Sequence, residues 1–291
     1  STESAEIRAP LDPGCPIVLF ADEWGGIGGT AGYVLMMARG LVRRGYRVAT
    51  ICHDVEPMAP VMDALCAAGS EVLRLPGGGP RAQQRAYARL LKPYRGGILA
   101  LMMGYHSRGG GVALAGRLAR MTVVRADLTP PEPPFARFEG RKLRLKDVLI
   151  HAVVVGAKEN RIAFREQLGR HKKTYVINTG IELDRFTPGA GREASRAKFG
   201  FAPDELVIGT LCRLSDRRKG VYDFITMASL RAPGFPKARF LVVGEGVLRP
   251  ELEQQARDLG VSSRIVFGGW NPNPAASYAA MDAFVMASTH E

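Results

Sequence analysis

Residues 205–253 constrain the fold more than any other stretch: ELVIGTLCRLSDRRKGVYDFITMASLRAPGFPKARFLVVGEGVLRPELE. They read as strand (206–212), basic turn, helix (221–230), strand (238–243), glycine turn and helix. Strand, helix and strand in that order are what a parallel βαβ unit requires, with a right-handed crossover. Open parallel sheets bind ligands at the carboxyl ends of their strands. Arg213, Arg217, Arg218 and Lys219 stand at such an end, directly before a helix N-terminus. The second strand closes on Gly244-Glu245-Gly246 and leads into another helix, with Pro250 tolerated in its first turn. Two helix N-termini with cations between them form a polyanion site, most simply for a diphosphate. Standing alone, a basic turn after a strand would be an ordinary solvated loop.

The same alternation runs through the first half. Strands are expected at 17–21, 47–52, 71–75, 98–102, 121–124, 152–155 and 174–177, with helices between them. In the first helix, expected over 30–44, Val34, Leu35, Ala38, Leu41 and Val42 fall on one face. Seven strands alternating with helices predict an α/β fold with a doubly wound parallel sheet. The turn before that helix, Asp22-Glu-Trp-Gly-Gly-Ile-Gly28-Gly29, lets the backbone approach an anion. As a dinucleotide fingerprint it is weak, because G-x-G-x-x-G does not occur there and no acidic residue closes the next strand in the right way. The proline-rich run at 129–134 reads as a surface loop, and Gly189-Ala-Gly191 as a hinge.

Composition excludes several classes. At 291 residues the chain is long for one core and comfortable for two, and the apolar run at 148–155 is far shorter than a membrane helix needs. The polar opening segment reads as a loose arm and not as a signal peptide. Cys15, Cys52, Cys66 and Cys212 show no C-x-x-C spacing, which predicts buried free thiols in a reducing cytoplasm and no zinc. The net charge of +12 is uneven: up to residue 190 there are 27 Lys+Arg against 17 Asp+Glu, and 13 against 11 thereafter. A basic first half suits an anionic partner such as a membrane surface or a phosphorylated acceptor. No aromatic-interleaved basic stretch of a nucleic-acid reader is present.

Several separately placed motifs agree in order. They are R-L-x4-K-G at 213–220, the strand closing on 244–246, a step like V-x-F-x-G ending at Phe267 and Gly269 with Ile265 in its first place, and D-A-F-V-x-A-S-x-x-E at 282–291. Together they resemble the nucleotide-sugar half of glycosyltransferase family 4, retaining enzymes of the GT-B fold. GLVRRGYRVATI is similar to that family's step into its second strand, and Asn178–Pro188 to its crossing between domains. The resemblance implies two Rossmann-like doubly wound domains facing a cleft. The first would be an acceptor-binding domain over 1–188, the second a nucleotide-sugar donor domain over 189–291. That second domain would be incomplete here, ending at the first carboxylate of an E-x7-E pair.

What the resemblance implies for chemistry follows residue by residue. Arg213 and Lys219 would hold the donor diphosphate, with backbone support at Gly28, Gly29 and Gly246, and Glu291 would accept bonds from the sugar hydroxyls. Fixed cations of this kind replace a metal, and no D-x-D stands in a suitable loop, so neither metal nor cofactor is expected. The first half departs from the pattern. Where many relatives have His-Asp, the chain has Ala126-Asp127, leaving Asp127 either to orient the acceptor or to cap a turn. His106 is the other acid/base candidate, against the plainer reading of a structural histidine. Arg108, Arg125 and Arg137 would suit an anionic acceptor. His53-Asp54 and His290 are left without an assigned role. The activity implied is retaining, metal-independent transfer from a nucleotide-diphosphate sugar to a hydroxyl acceptor, anionic or lipid-linked, in the cytoplasm or at the inner face of the membrane. A nucleotide-sugar 2-epimerase and a catalytically degenerate sugar-nucleotide-binding protein share this architecture and stay open.

Overall fold

The structure is a computed structural model describing residues 12–21, 29–103, 108–127, 129, 146–168, 173–271 and 273–289. Two compact units divide it, Ser1–Thr179 and Gly180–Glu291.

In the first unit the apolar runs become parallel strands: β1 (Ile17–Ala21), β2 (Val48–His53), β3 (Glu71–Leu75), β4 (Ile98–Met103), β5 (Thr122–Asp127), β6 (Ala152–Val155) and β7 (Thr174–Val176). Their order in the sheet is β3-β2-β1-β4-β5-β6-β7. β1 and β2 are buried at every residue, as strands covered on both faces must be. Side chains alternate across the sheet. Ile17, Leu19 and Ala21 pack under α1 (Gly29–Val42) and α2 (Ala59–Ala67). Val18 and Phe20 pack on the other side, with α3 (Pro80–Leu91), α4 (Gly110–Leu118) and α5 (Lys158–Leu168). The strand order reverses between β1 and β4, where Ala21 pairs with Met102. Carboxyl ends beside such a reversal are where doubly wound sheets take their ligands.

The second unit repeats the plan with a smaller sheet. β8 (Leu206–Leu211), β9 (Ala238–Val243), β10 (Ile265–Gly269) and β11 (Ala283–Phe284) pair in parallel in the order β10-β9-β8-β11. α7 (Val221–Arg231) and α8 (Arg249–Asp258) cover one face with Phe224, Ile225 and Leu252. α6 (Arg192–Phe199) and α9 (Pro274–Ala280) lie over the other with Phe199 and Ala280.

Several expectations shift. α3 begins at Pro80, whose fixed φ and missing N–H suit a first helical position. No helix was expected after the 189–191 glycines, yet α6 starts there, with Gly191 and Gly200 in left-handed conformation at its two ends (φ 70° and 74°). Charge pairing holds α6 in place. Arg196, 4% exposed, donates from Nη1 to the carbonyls of Ala202, Pro203 and Glu205, each at 3.0 Å. Its Nη2 meets Asp282 Oδ2 at 2.5 Å, where the Val207 N–H also donates at 2.8 Å, and Arg192 pairs with the second oxygen. Phe186 packs edge-on against Tyr278 within the second unit, with centroids 6.2 Å apart. The cysteines are free, as expected, but only Cys52 is buried; Cys15 and Cys212 are half-buried and Cys66 is exposed on α2, which corrects the expectation of buried thiols.

Candidate functional site

The carboxyl ends of β8, β9 and β11 are stitched together by their backbones. Leu214 N–H donates to the Glu245 carbonyl at 2.9 Å, and Leu248 N–H to the Leu214 carbonyl at 2.9 Å. Thr289 N–H reaches the Arg218 carbonyl at 2.9 Å, joining the segment after β11 to the turn after β8. Two glycines permit this closeness. A Cβ on Gly246 would overlap the carbonyl of Leu214, and one on Gly220 the carbonyl of Ala287. Gly220 also stands at φ 68°, where a side chain is strained, and from it α7 begins. Neither α7 nor α8 has a side-chain N-cap, so the partial positive ends of both helices lie beside this cluster.

The four cations of the turn after β8 differ in their partners. Arg217 donates to both oxygens of Glu251, at 2.6 and 2.9 Å, and lies 4.6 Å over the Tyr222 ring. That pair raises the Arg217 pKa and holds the Glu251 carboxylate below its ordinary value, in each case chiefly through the hydrogen bond between them. Arg218 folds back on Asp216, Nη2 to Oδ2 at 2.7 Å, while Asp216 also accepts from the Arg218 N–H at 3.0 Å. The Arg218 side-chain bond is the main reason the Asp216 carboxyl sits below the usual range. Lys219 is half-buried at the end of the turn. Arg213 is exposed and makes no hydrogen bond or ion pair among the described residues. Beside them, Arg249 bridges Glu245 and Glu253, the latter at 2.8 Å. The turn is therefore organised by Arg217 and Arg218 and offers Arg213 outward. Asp216 and Glu251 were not read from the sequence as part of this cluster; the 34-residue separation of Arg217 and Glu251 leaves no local spacing signal.

In the first unit, Asp127 closes β5 and is 1% exposed. Arg125, also 1% exposed, donates from Nε to Asp127 Oδ1 at 2.7 Å and from Nη1 to the Arg108 carbonyl at 2.8 Å. Residues two apart on a strand share a face, which is why the pair forms. At the end of β2, His53 is 4% exposed and meets the Phe20 ring edge-on at 5.9 Å. Burial, and then the positive charge of Arg108, push its pKa down to about 4. Asp54 pairs with Arg74 at 2.8 Å. Gly29 is the first residue of α1, where a Cβ would meet nothing within 4 Å. Gly28, His106, Arg137, His290 and Glu291 lie outside the described residues.

The family-model match falls on the second unit. Residues 205–291 match the family model described as Glycosyl transferases group 1. The fold is GT-B. A solved structure of Anabaena Alr3699/HepE in complex with UDP-glucose superposes with a TM-score of 0.75 at 21% identity, over 94% of this chain and 74% of that one. WaaG, a glycosyltransferase involved in lipopolysaccharide biosynthesis, gives 0.68 at 17% identity over 94% and 75%. In sequence, the lipopolysaccharide core biosynthesis glycosyltransferase LpsE of Rhizobium meliloti is 38% identical over 111 residues, 38% of this chain and 31% of that protein. The D-inositol 3-phosphate glycosyltransferase of Mycolicibacterium smegmatis is 33% identical over 97 residues, 32% of this chain and 21% of that protein. The matched stretches thus span less than a third of the length of these two relatives. Among the described residues no helix is long and apolar enough to cross a membrane.

Proposed function

We propose that the protein is a glycosyltransferase that moves a sugar from a nucleotide-diphosphate sugar to a hydroxyl acceptor, with retention of anomeric configuration and without a metal ion. The observation that carries this reading is Arg213: an exposed cation with no hydrogen-bond or ion-pair partner among the described residues, beside Lys219 and the N-termini of α7 and α8. Charge that develops on a departing diphosphate is stabilised by such preorganised donors. Two side-chain cations and two helix ends supply that stabilisation without a metal. Gly246 keeps the backbone of the turn after β9 close to this cluster, and Gly28 and Gly29 supply backbone N–H groups to the phosphates or the acceptor. Glu291 binds the sugar hydroxyls.

On the acceptor side, Asp127 acts through its pair with Arg125, and His106 carries the proton from the acceptor hydroxyl. The acceptor is an anionic or lipid-linked compound of glycan, glycolipid or natural-product biosynthesis. Names among the relatives support that class, lipopolysaccharide core and inositol 3-phosphate among them. The protein works in the cytoplasm, with its basic first unit at the membrane surface. Residues 1–188 serve the acceptor and 189–291 the donor.

The test is a panel of UDP-, GDP-, ADP- and dTDP-sugars, read by thermal shift and by product analysis with EDTA present. UDP-glucose comes first, since HepE is described in complex with it. A shift with one nucleotide that is lost in Arg213→Ala/Lys219→Ala, together with an α-linked product from an α-linked donor, is the expected result. Absence of any shift across the panel would overturn the donor site, and an inverted product would overturn retention.

A further inference from the structure

Between residues 72 and 126 the chain holds ten Lys+Arg and no Asp or Glu. This acid-free run builds α3 and α4, which pack side by side on one face of the first unit's sheet, with the Gly111 backbone against Gln84 and Tyr87. α3 turns Ala86, Tyr87 and Leu91 inward. Its outward stripe is Arg81, Arg85 and Arg89, spaced one turn apart and all exposed. α4 buries Val112, Ala113 and Ala115 and turns Leu114 (41% exposed) and Leu118 (68%) outward. None of the three arginines makes a hydrogen bond or ion pair among the described residues. The nearby acid, Glu71, is paired with Arg47, and the acids of the same helical layer, Glu159 and Glu166, lie on α5.

We infer that the outer face of α3 and α4 is a docking surface for an anionic lipid bilayer. The inference deepens the proposal of a membrane-facing first unit by naming the surface. An arginine stripe without ion-pair partners among the described residues complements a negatively charged leaflet, and the interfacial potential rewards each cation brought near it. The neighbouring pair of exposed leucines suits the boundary between headgroups and acyl chains. Single-stranded nucleic acid fits less well, because bases need aromatic platforms, and the aromatics here, Tyr87 and Tyr94, are buried.

The experiment is co-sedimentation of the full chain with phosphatidylcholine vesicles, with and without phosphatidylglycerol. Binding is expected only with phosphatidylglycerol, weakening as salt rises. Neutralising the stripe, Arg81→Gln/Arg85→Gln/Arg89→Gln, should weaken it on the order of a hundredfold. Leu114→Ser/Leu118→Ser should weaken it roughly tenfold and leave more of the residual binding salt-sensitive. Circular dichroism melts of both variants should match the parent, since the altered side chains are exposed. Equal binding to both vesicle types, or unchanged binding of the arginine variant, would overturn the inference. So would a single-stranded oligonucleotide that competes the vesicles away while the leucine variant binds like the parent. No arm uses a nucleotide sugar, so failure here and failure of the donor site are read separately.

Discussion

Arg213 and Arg217 are four residues apart in one turn, yet the structure gives them different work, and replacing each by alanine separates the two. Arg213 is exposed and makes no hydrogen bond or ion pair among the described residues, so Arg213→Ala should leave the ligand-free melting temperature unchanged, within about 0.5 kcal/mol of stability. Its loss falls on the ligand. A hydrogen bond from a charged donor is worth roughly 1.5–3 kcal/mol, which corresponds to an increase in Kd on the order of tenfold to a hundredfold. If UDP-glucose is the donor, then at about 100 times Kd it would stabilise the native parent by about 2.7 kcal/mol. A site weakened about thirtyfold, at the same concentration, retains about 0.9 kcal/mol, so the thermal shift should shrink to about a third. Arg217→Ala should do the reverse. Without the Glu251 pair and the Tyr222 stacking, the ligand-free melting temperature drops slightly, and most of the ligand-induced shift survives. Differential scanning fluorimetry with calorimetric titration reads both. If Arg213→Ala kept the full shift while Arg217→Ala abolished it, the assignment of the unpaired cation to the diphosphate would be refuted.

Gly246→Ala should cost about 1–3 kcal/mol in chemical denaturation, because the new methyl has to displace the Leu214 carbonyl, and should weaken donor binding as the turn moves. Asp282→Ala should destabilise by about 2–4 kcal/mol, leaving Arg196 buried without its carboxylate; melts that match the parent would contradict this. Partial burial alone would raise the Asp282 pKa, but the Val207 N–H and the Arg192 and Arg196 guanidinium groups hold it below the ordinary value. A depressed folded pKa means its stabilisation is complete above the unfolded value near ~4 and is lost as pH falls through the folded one. Melting points of the parent should therefore fall more steeply in that acid range than those of Asp282→Ala. His53 should titrate near pH 4 by NMR. Since the unfolded histidine takes its proton near ~6.5, the His53 contribution to stability should decline as pH drops from there towards that value. A ring titrating near neutrality would show that the imidazole is not held in the buried position.

The linear chain determined the architecture because the signals for it are local. Apolar runs of strand length alternating with amphipathic stretches specify parallel βαβ units, and the order of those units specifies where ligands go. β1 to β9 accordingly lie close to where periodicity put them, and Arg213, Lys219 and Gly246 lie at the strand ends where the spacing put them. α6 escaped because its inward-facing apolar side chains are few. It is anchored by arginines whose carboxylate, Asp282, is 86 residues away from Arg196. For the same reason the sequence could only group the four cations of one turn. Which of them is committed to an internal carboxylate depends on Glu251, brought in by the crossover of α7 and β9. Asp127 shows the converse case, a residue legible as a strand-end carboxylate whose neighbour two positions back claims it in a buried pair. Periodicity and turn chemistry are written in consecutive residues. The pairing state of a charge is a property of what folding places within about 4 Å of it, and only the tertiary structure decides that.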